Sequence, residues 1–180
     1  MQITTQHIPV PGGEVFVTQW IPLQPSSSVP LVLLHDSLGC VEMWRDFPAV
    51  LCRRLQRRVI AYDRLGFGRS TARTHIPCPT FIADEAQGVF PALCTALGFG
   101  RFALFGHSVG GGMALHIAAA YPEACVAVVT EAAQAFVEER TRAGIRDAQA
   151  AYADPAMMQR LEKYHGEKAP WVLAAWTDVW

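Results

Sequence analysis

With 180 residues and a net charge of −1, the chain has the size of one domain and enough length to bury a sizeable core. Hydrophobic residues make up 51% and charged ones 17%, which excludes a disordered chain and leaves no electrostatic grip for nucleic acid or an anionic membrane. A small molecule or a protein is the expected partner. The five cysteines, Cys40, Cys52, Cys78, Cys94 and Cys125, form no C-x-x-C pair, so neither a disulfide framework nor a zinc site is signalled, and a reducing cytoplasmic location is expected. The opening "MQITTQHIPVPGGEV" has no basic region followed by an apolar one, and no run reaches the ~18 apolar residues of a membrane span. No cofactor or metal is indicated.

The first strand signal is "EVFVTQW", Glu14 to Trp20, which a Pro-Gly-Gly turn joins to "ITTQHIPV" as a hairpin. "PLQPSSSVP" then reads as a loop, and "LVLLH", Leu31 to His35, as a strand apolar on both faces. "MWRDFPAVLCRRLQ" predicts a helix whose body starts near Pro48, because proline is tolerated in a first turn. The strand "RRVIAYD", Arg57 to Asp63, and the glycine-rich loop "RLGFGRS" follow. "FIADEAQGVFPALCTALG" predicts a helix ending at Gly98 and kinked by Pro91. "RFALFG" is the next strand, "VGGGMALHIAAAYP" the next helix and "ACVAVVTEA" the last strand. This alternation predicts an α/β fold: an open, mainly parallel sheet with helices on both faces. From Phe136 the pattern is helical and charged, without a strand signal. The expected division is a core over 1–135 and a helical cap over 136–180.

Gly106-His107-Ser108-Val109-Gly110 is a G-x-S-x-G between an apolar strand and a small-residue helix. That context suits a strained turn that exposes a serine nucleophile. Together with "LLHDSLG" and "AYDRLGFGRS", the motif makes the chain resemble the α/β-hydrolase family, specifically its small capped members with a serine nucleophile. The resemblance implies that Ser108 attacks a small ester or amide carbonyl. It also implies that the backbone N–H groups of Ser37 and Val109 stabilise the developing oxyanion. His35, Asp36, Gly39, Gly106, His107 and Gly110 would then support these loops.

Asp36 stands where the family usually has glycine. A carboxylate aimed at the oxyanion opposes catalysis, so Asp36 is expected to point away and pin its loop, or simply to cap a turn. Asp63 ends a strand on the active-site side, and the resemblance assigns it to bracing its own glycine-rich loop through backbone N–H bonds.

A serine needs a base, and the base an acid. Glu131 closes the last strand, next to the elbow strand if neighbours pair in sequence; it is the candidate acid, with a cap-anchoring role as the alternative. Only His116 and His165 follow Ser108. His116 lies ~12 Å up the elbow helix, and His165 is expected to be an exposed cap residue. The family takes its histidine from beyond two further strands, so the chain reads as the first two-thirds of such a hydrolase. Two expectations follow: weak activity, with a silent ligand- or partner-binding domain as the alternative, and self-association. The latter would use the unpaired edge of "ACVAVVTEA" or the C-terminal segment with Trp171, Trp176 and Trp180.

Overall fold

Pro11 and Gly12 reverse the chain between β1 (Gln2–Val10) and β2 (Gly13–Ile21), with Gly12 and Gly13 at the positive φ values of 92° and 146° that the turn requires. The computed structural model describes residues 1–134 and 136–179. The remaining strands are β3 (Ser27–Leu34), β4 (Arg57–Tyr62), β5 (Phe102–His107) and β6 (Cys125–Glu131). Their order is β1-β2-β4-β3-β5-β6. β4, β3, β5 and β6 run parallel, and β2 is antiparallel to both β1 and β4.

Alternate residues of the same strands enter opposite cores, the period-two consequence of the pleat. Leu31, Leu33, Val59, Ala61 and Ala103 pack on one face with Cys52 of α1 (Phe47–Leu55). Val32, Leu34, Ile60, Tyr62 and Leu104 pack on the other. There they meet Phe90 of α3 (Val89–Leu97) and Met113 and Ile117 of α4 (Val109–Ala120), beside α2 (Phe81–Gln87). The two-faced α/β sheet is as expected.

Two local expectations are corrected. β3 starts at Ser27, inside the stretch read as a loop, and its register to β4 slips between Ser27 and Leu31. Pro30 falls in that slip, where its missing N–H costs no ladder bond. The helix read as kinked at Pro91 instead breaks at Gly88. With α3 starting at Val89, Pro91 sits in a first turn that has no need of its N–H. Gly98 ends α3 in the left-handed region, as expected.

Beyond the sheet lie α5 (Glu139–Tyr152), α6 (Pro155–His165) and α7 (Ala169–Thr177). Asp154 caps α6 by accepting the Ala156 N–H at 2.9 Å, with Pro155 opening the helix. Leu161, Ala169, Val172 and Ala175 of these helices form a third apolar cluster around Phe67, from the loop after β4. Trp171 packs into the space above Gly66, and its indole N–H donates to the His75 carbonyl at 3.2 Å. Trp180 lies outside the described residues.

β6 pairs with β5 on one side and with no strand among the described residues on the other. Val126 and Val129 are 41% and 52% exposed.

A Cβ on Gly66 would lie 2.2 Å from the Trp171 ring, and its φ of 92° is unfavourable to any other residue. Gly66→Ala is therefore expected to lower the unfolding free energy by about 2 kcal/mol or more. Urea titration, with the emission of Trp171 reporting α7, checks this.

Candidate active site

The elbow between β5 and α4 is built on absent side chains. A Cβ on Gly106 would sit 2.2 Å from the Gly110 carbonyl, and one on Gly110 would sit 2.2 Å from the Leu34 carbonyl. Helix and sheet therefore touch backbone to backbone. The chain makes the turn through Ser108 at φ 54° and ψ −122°, a conformation that costs a residue with a Cβ about 1–3 kcal/mol. The Ser108 N–H donates to the Glu131 carbonyl at 2.8 Å, tying the elbow to the end of β6. The Ser108 hydroxyl has no hydrogen-bond partner among the described residues. It faces a cavity of about 770 Å³ whose wall includes Asp36, Leu38, His107, Ile145 and Trp176.

The loop after β3 is held by a neutral, buried imidazole. His35 Nδ1–H donates to the Asp36 carbonyl at 2.8 Å, and Nε2 accepts the Arg64 N–H at 3.1 Å. The Arg64 guanidinium donates to the same Asp36 carbonyl at 2.7 Å. Gly39 closes the loop where a Cβ would come within 2.9 Å of His35. The Ser37 N–H has no acceptor among the described residues, and Val109, as the first residue of α4, has no intrahelical acceptor for its own. Ser37 and Val109 line one small recess together with Trp176.

Asp36 does pin its loop, with Oδ1 accepting the Leu38 N–H at 2.8 Å. With Oδ1 so engaged, Oδ2 stands 3.3 Å from His107 Nδ1, and both residues line the Ser108 cavity. Asp63 accepts the Val41 and Arg69 N–H groups at 2.6 and 2.7 Å, the bracing arrangement expected of it. Desolvation raises its pKa.

Glu131 stands opposite His107 in the β5–β6 register, and its side chain is exposed. Ala132 and Ala133, not Glu131, line the cavity. His116 is exposed on α4. His165 is a correction: it is 2% exposed, not a surface residue. Its Nδ1 accepts the Gly68 N–H at 2.9 Å and its Nε2–H donates to the Leu38 carbonyl at 2.9 Å. One imidazole at the end of α6 thus staples together the loops after β3 and β4. Sequence reasoning missed it because its partners lie 97 and 127 residues away, and nothing local marks the site.

A model of the α/β hydrolase fold family matches residues 29–173. The chain belongs to the α/β-hydrolase family. Mouse (lyso)-N-acylphosphatidylethanolamine lipase is 29% identical over 118 residues, covering 66% of this chain and 34% of that protein. The 2-hydroxy-6-oxononadienedioate/2-hydroxy-6-oxononatrienedioate hydrolase of Burkholderia vietnamiensis is 34% identical over 134 residues, 71% of this chain and 45% of the relative. The chain therefore spans between about a third and a half of the length of these relatives. Among solved structures, proline iminopeptidase of Mycobacterium smegmatis superposes with a TM-score of 0.65 at 25% identity, covering 94% of this chain and 58% of that one. A probable hydrolytic enzyme of Pseudomonas aeruginosa gives 0.68 at 21% identity over 99% and 66%, a likeness of fold. No helix among the described residues is long and apolar enough to cross a membrane.

Burial lowers the pKa of both His35 and His165. A histidine with a depressed folded-state pKa stabilises the fold above its unfolded value of ~6.5, and that contribution is lost as pH falls from there toward the folded value. The expected slope is up to about 1.4 kcal/mol per pH unit for each histidine. Buried Asp63 and Glu85, with pKa values raised by desolvation, act in the opposite sense at lower pH. The difference between wild type and His165→Gln isolates the histidine: denaturant unfolding from pH 7 to 5 should lose the His165 part of the slope in the variant.

Proposed function

We propose that this α/β-hydrolase chain is a serine hydrolase acting on a small ester- or amide-type substrate. Ser108 is the nucleophile, and the N–H groups of Ser37 and Val109 are the oxyanion donors. The observation that carries the reading is the strained Ser108, which lines the cavity with a hydroxyl that has no hydrogen-bond partner among the described residues, while Ser37 and Val109 line a recess that shares Ser37 and Trp176 with that cavity. Two fixed N–H donors at a developing oxyanion lower its barrier by a few kcal/mol each. Residues 136–180 act as the cap, with Ile145 and Trp176 on the substrate side. Glu131 is the acid this reading assigns at the end of β6. The relatives named above as a lipase and a hydrolase support hydrolytic chemistry, and a cytoplasmic location belongs to the same proposal.

Among the described residues no hydrogen bond links the Glu131 carboxylate to a histidine, and this supports weak turnover. The same observation supports the second reading, a silent domain that binds a small molecule in the Ser108 cavity. A fluorophosphonate probe separates the two. The hydrolase reading expects labelling faster than free serine by on the order of 10²-fold and lost in Ser108→Ala; labelling no faster than free serine supports the silent domain. Glu131→Gln tests the acid, and an unchanged rate removes Glu131 from the mechanism.

Self-association through the β6 edge is also proposed. Its unpaired backbone and exposed Val126 and Val129 support it, whereas Trp171 is engaged within the chain. Light scattering across protein concentrations is expected to show a dimer, reduced in Val129→Lys; a monomer throughout overturns the proposal.

A further inference from the structure

Arg64, in the loop after β4, carries a charge that the fold leaves without a counter-ion in contact. It is 5% exposed. Nη2 donates to the Asp36 carbonyl at 2.7 Å and Nε lies 3.4 Å from His35 Nε2, yet among the described residues no carboxylate is within ion-pair distance. Glu85 and Asp36 act on it only at longer range. A buried cation is costly unless an anion or strong acceptors face it. Nη1 has no hydrogen bond among the described residues. There the Trp44 indole nitrogen is the one buried side-chain nitrogen or oxygen both unpartnered and sealed from water, so Nη1 opens into a space.

Arg64 lines a chamber of about 40 Å³, several times the ~10–15 Å³ that one water needs. Phe67, Met113 and Trp171 form its apolar wall, and Arg73 and Glu85 line it beside Arg64. Glu85 is already engaged, with Oε1 accepting the Tyr62 hydroxyl at 2.6 Å. Two guanidinium groups against one engaged carboxylate leave the chamber a net positive charge. Arg73, Glu85 and Val89 also line an open cleft of about 520 Å³, so the chamber has a mouth to solvent away from Ser108. On its other side Arg64, Phe67, Pro77 and Phe81 are shared with the recess of Ser37 and Val109.

We infer that this chamber is a binding site for a small carboxylate, held by Arg64 Nη1 and Arg73. The guanidinium fork matches carboxylate oxygens, and the charge that burial leaves unpaired is the one an anion would neutralise. The apolar wall takes the alkyl stem behind the carboxylate. Two sources supply this chemistry: the far end of a substrate whose carbonyl lies at Ser37 and Val109, and a free carboxylate entering from the open cleft. The site itself does not depend on Ser108 being a nucleophile.

The experiment titrates the whole chain with acetate, and with acetamide as the neutral isostere, at constant ionic strength. The indole N–H resonance of Trp171, in the chamber wall, reports binding. Acetate is expected to bind at least about tenfold more tightly than acetamide. Arg64→Gln removes that preference and Arg73→Gln weakens it severalfold. Glu85→Gln, which keeps an acceptor for Tyr62 but removes the opposing charge, tightens acetate binding, an effect that a purely structural role for Glu85 would not produce. If Arg64→Gln does not fold, the Arg73 and Glu85 variants decide. Equal binding of acetate and acetamide overturns the inference, and so does an acetate affinity unmoved by both of those variants. Monomethyl glutarate separates the sources. A substrate carboxylate gives it about a tenfold gain over acetate and also moves the resonance of Trp176, which lines both the recess and the Ser108 cavity. A free carboxylate gives no gain and moves Trp171 alone. Either result supports the site, and neither requires hydrolysis, so failure of the hydrolase reading and failure of this inference are distinct.

Discussion

The site rests on one steric constraint, the backbone contact between the start of α4 and the ends of β3 and β5. Gly106 and Gly110 have no space for a Cβ because the Gly110 and Leu34 carbonyls occupy it. That closeness leaves the chain no relaxed route from β5 into α4, and Ser108 takes the strained φ. It also brings the loop after β3 beside the elbow, since β3 and β5 are neighbours in the sheet. Ser37 and Asp36 reach the cavity for that reason. A second non-glycine residue at positive φ, Ala132 at 50°, also lines the cavity from the end of β6. Strain held by surrounding packing is thus concentrated around one hydroxyl.

Helices α6 and α7 are tied to the loop after β4 through Phe67, and the tie is chemical as well as apolar. The His35 and His165 rings pack against Phe67 with centroids 5.2 and 6.1 Å away, and Trp171 at 5.6 Å. The Arg64 guanidinium lies 4.2 Å from the Phe67 centroid. A cation on the ring face and the burial of both imidazoles favour neutral histidines. Neutrality is what His165 needs to accept from Gly68 while donating to Leu38. Leu38 also lines the Ser108 cavity. The bond that docks α6 therefore fixes part of the cavity wall, and acid that loosens one loosens the other.

How far the sequence could be read depended on the range of the interactions. The strand of Leu31 to Leu34 was legible because burial on both faces imposes a continuous apolar run, and the helix of Val109 to Ala120 because a run of small and apolar residues follows the elbow directly. The elbow was legible because its glycines answer a local steric demand. Pro91 misled because a proline signals a break without saying which side yields, and Gly88, with no Cβ to hold it helical, yielded first. His165 misled for a different reason: a polar residue on a charged helix reads as exposed unless its distant partners are known. Asp36 was read correctly for its bond to Leu38, two residues on, and incompletely for its contact with His107, 71 residues away.

The open edge of the sheet is not independent of the site. Ser108 donates its N–H to the carbonyl of Glu131, the last residue of β6. The next residues, Ala132 and Ala133, form cavity wall, and the Ala133 side chain fills the space that a Cβ on Gly111 would need. A strand edge without a neighbour is held by hydrogen bonds from one side only, so its end is the part most free to shift. Whatever pairs with β6 restrains Glu131 from the other side. It thereby restrains the carbonyl that holds the elbow and the alanines that shape the cavity. Occupancy of that edge and the geometry at Ser108 are coupled through one hydrogen bond and three consecutive residues.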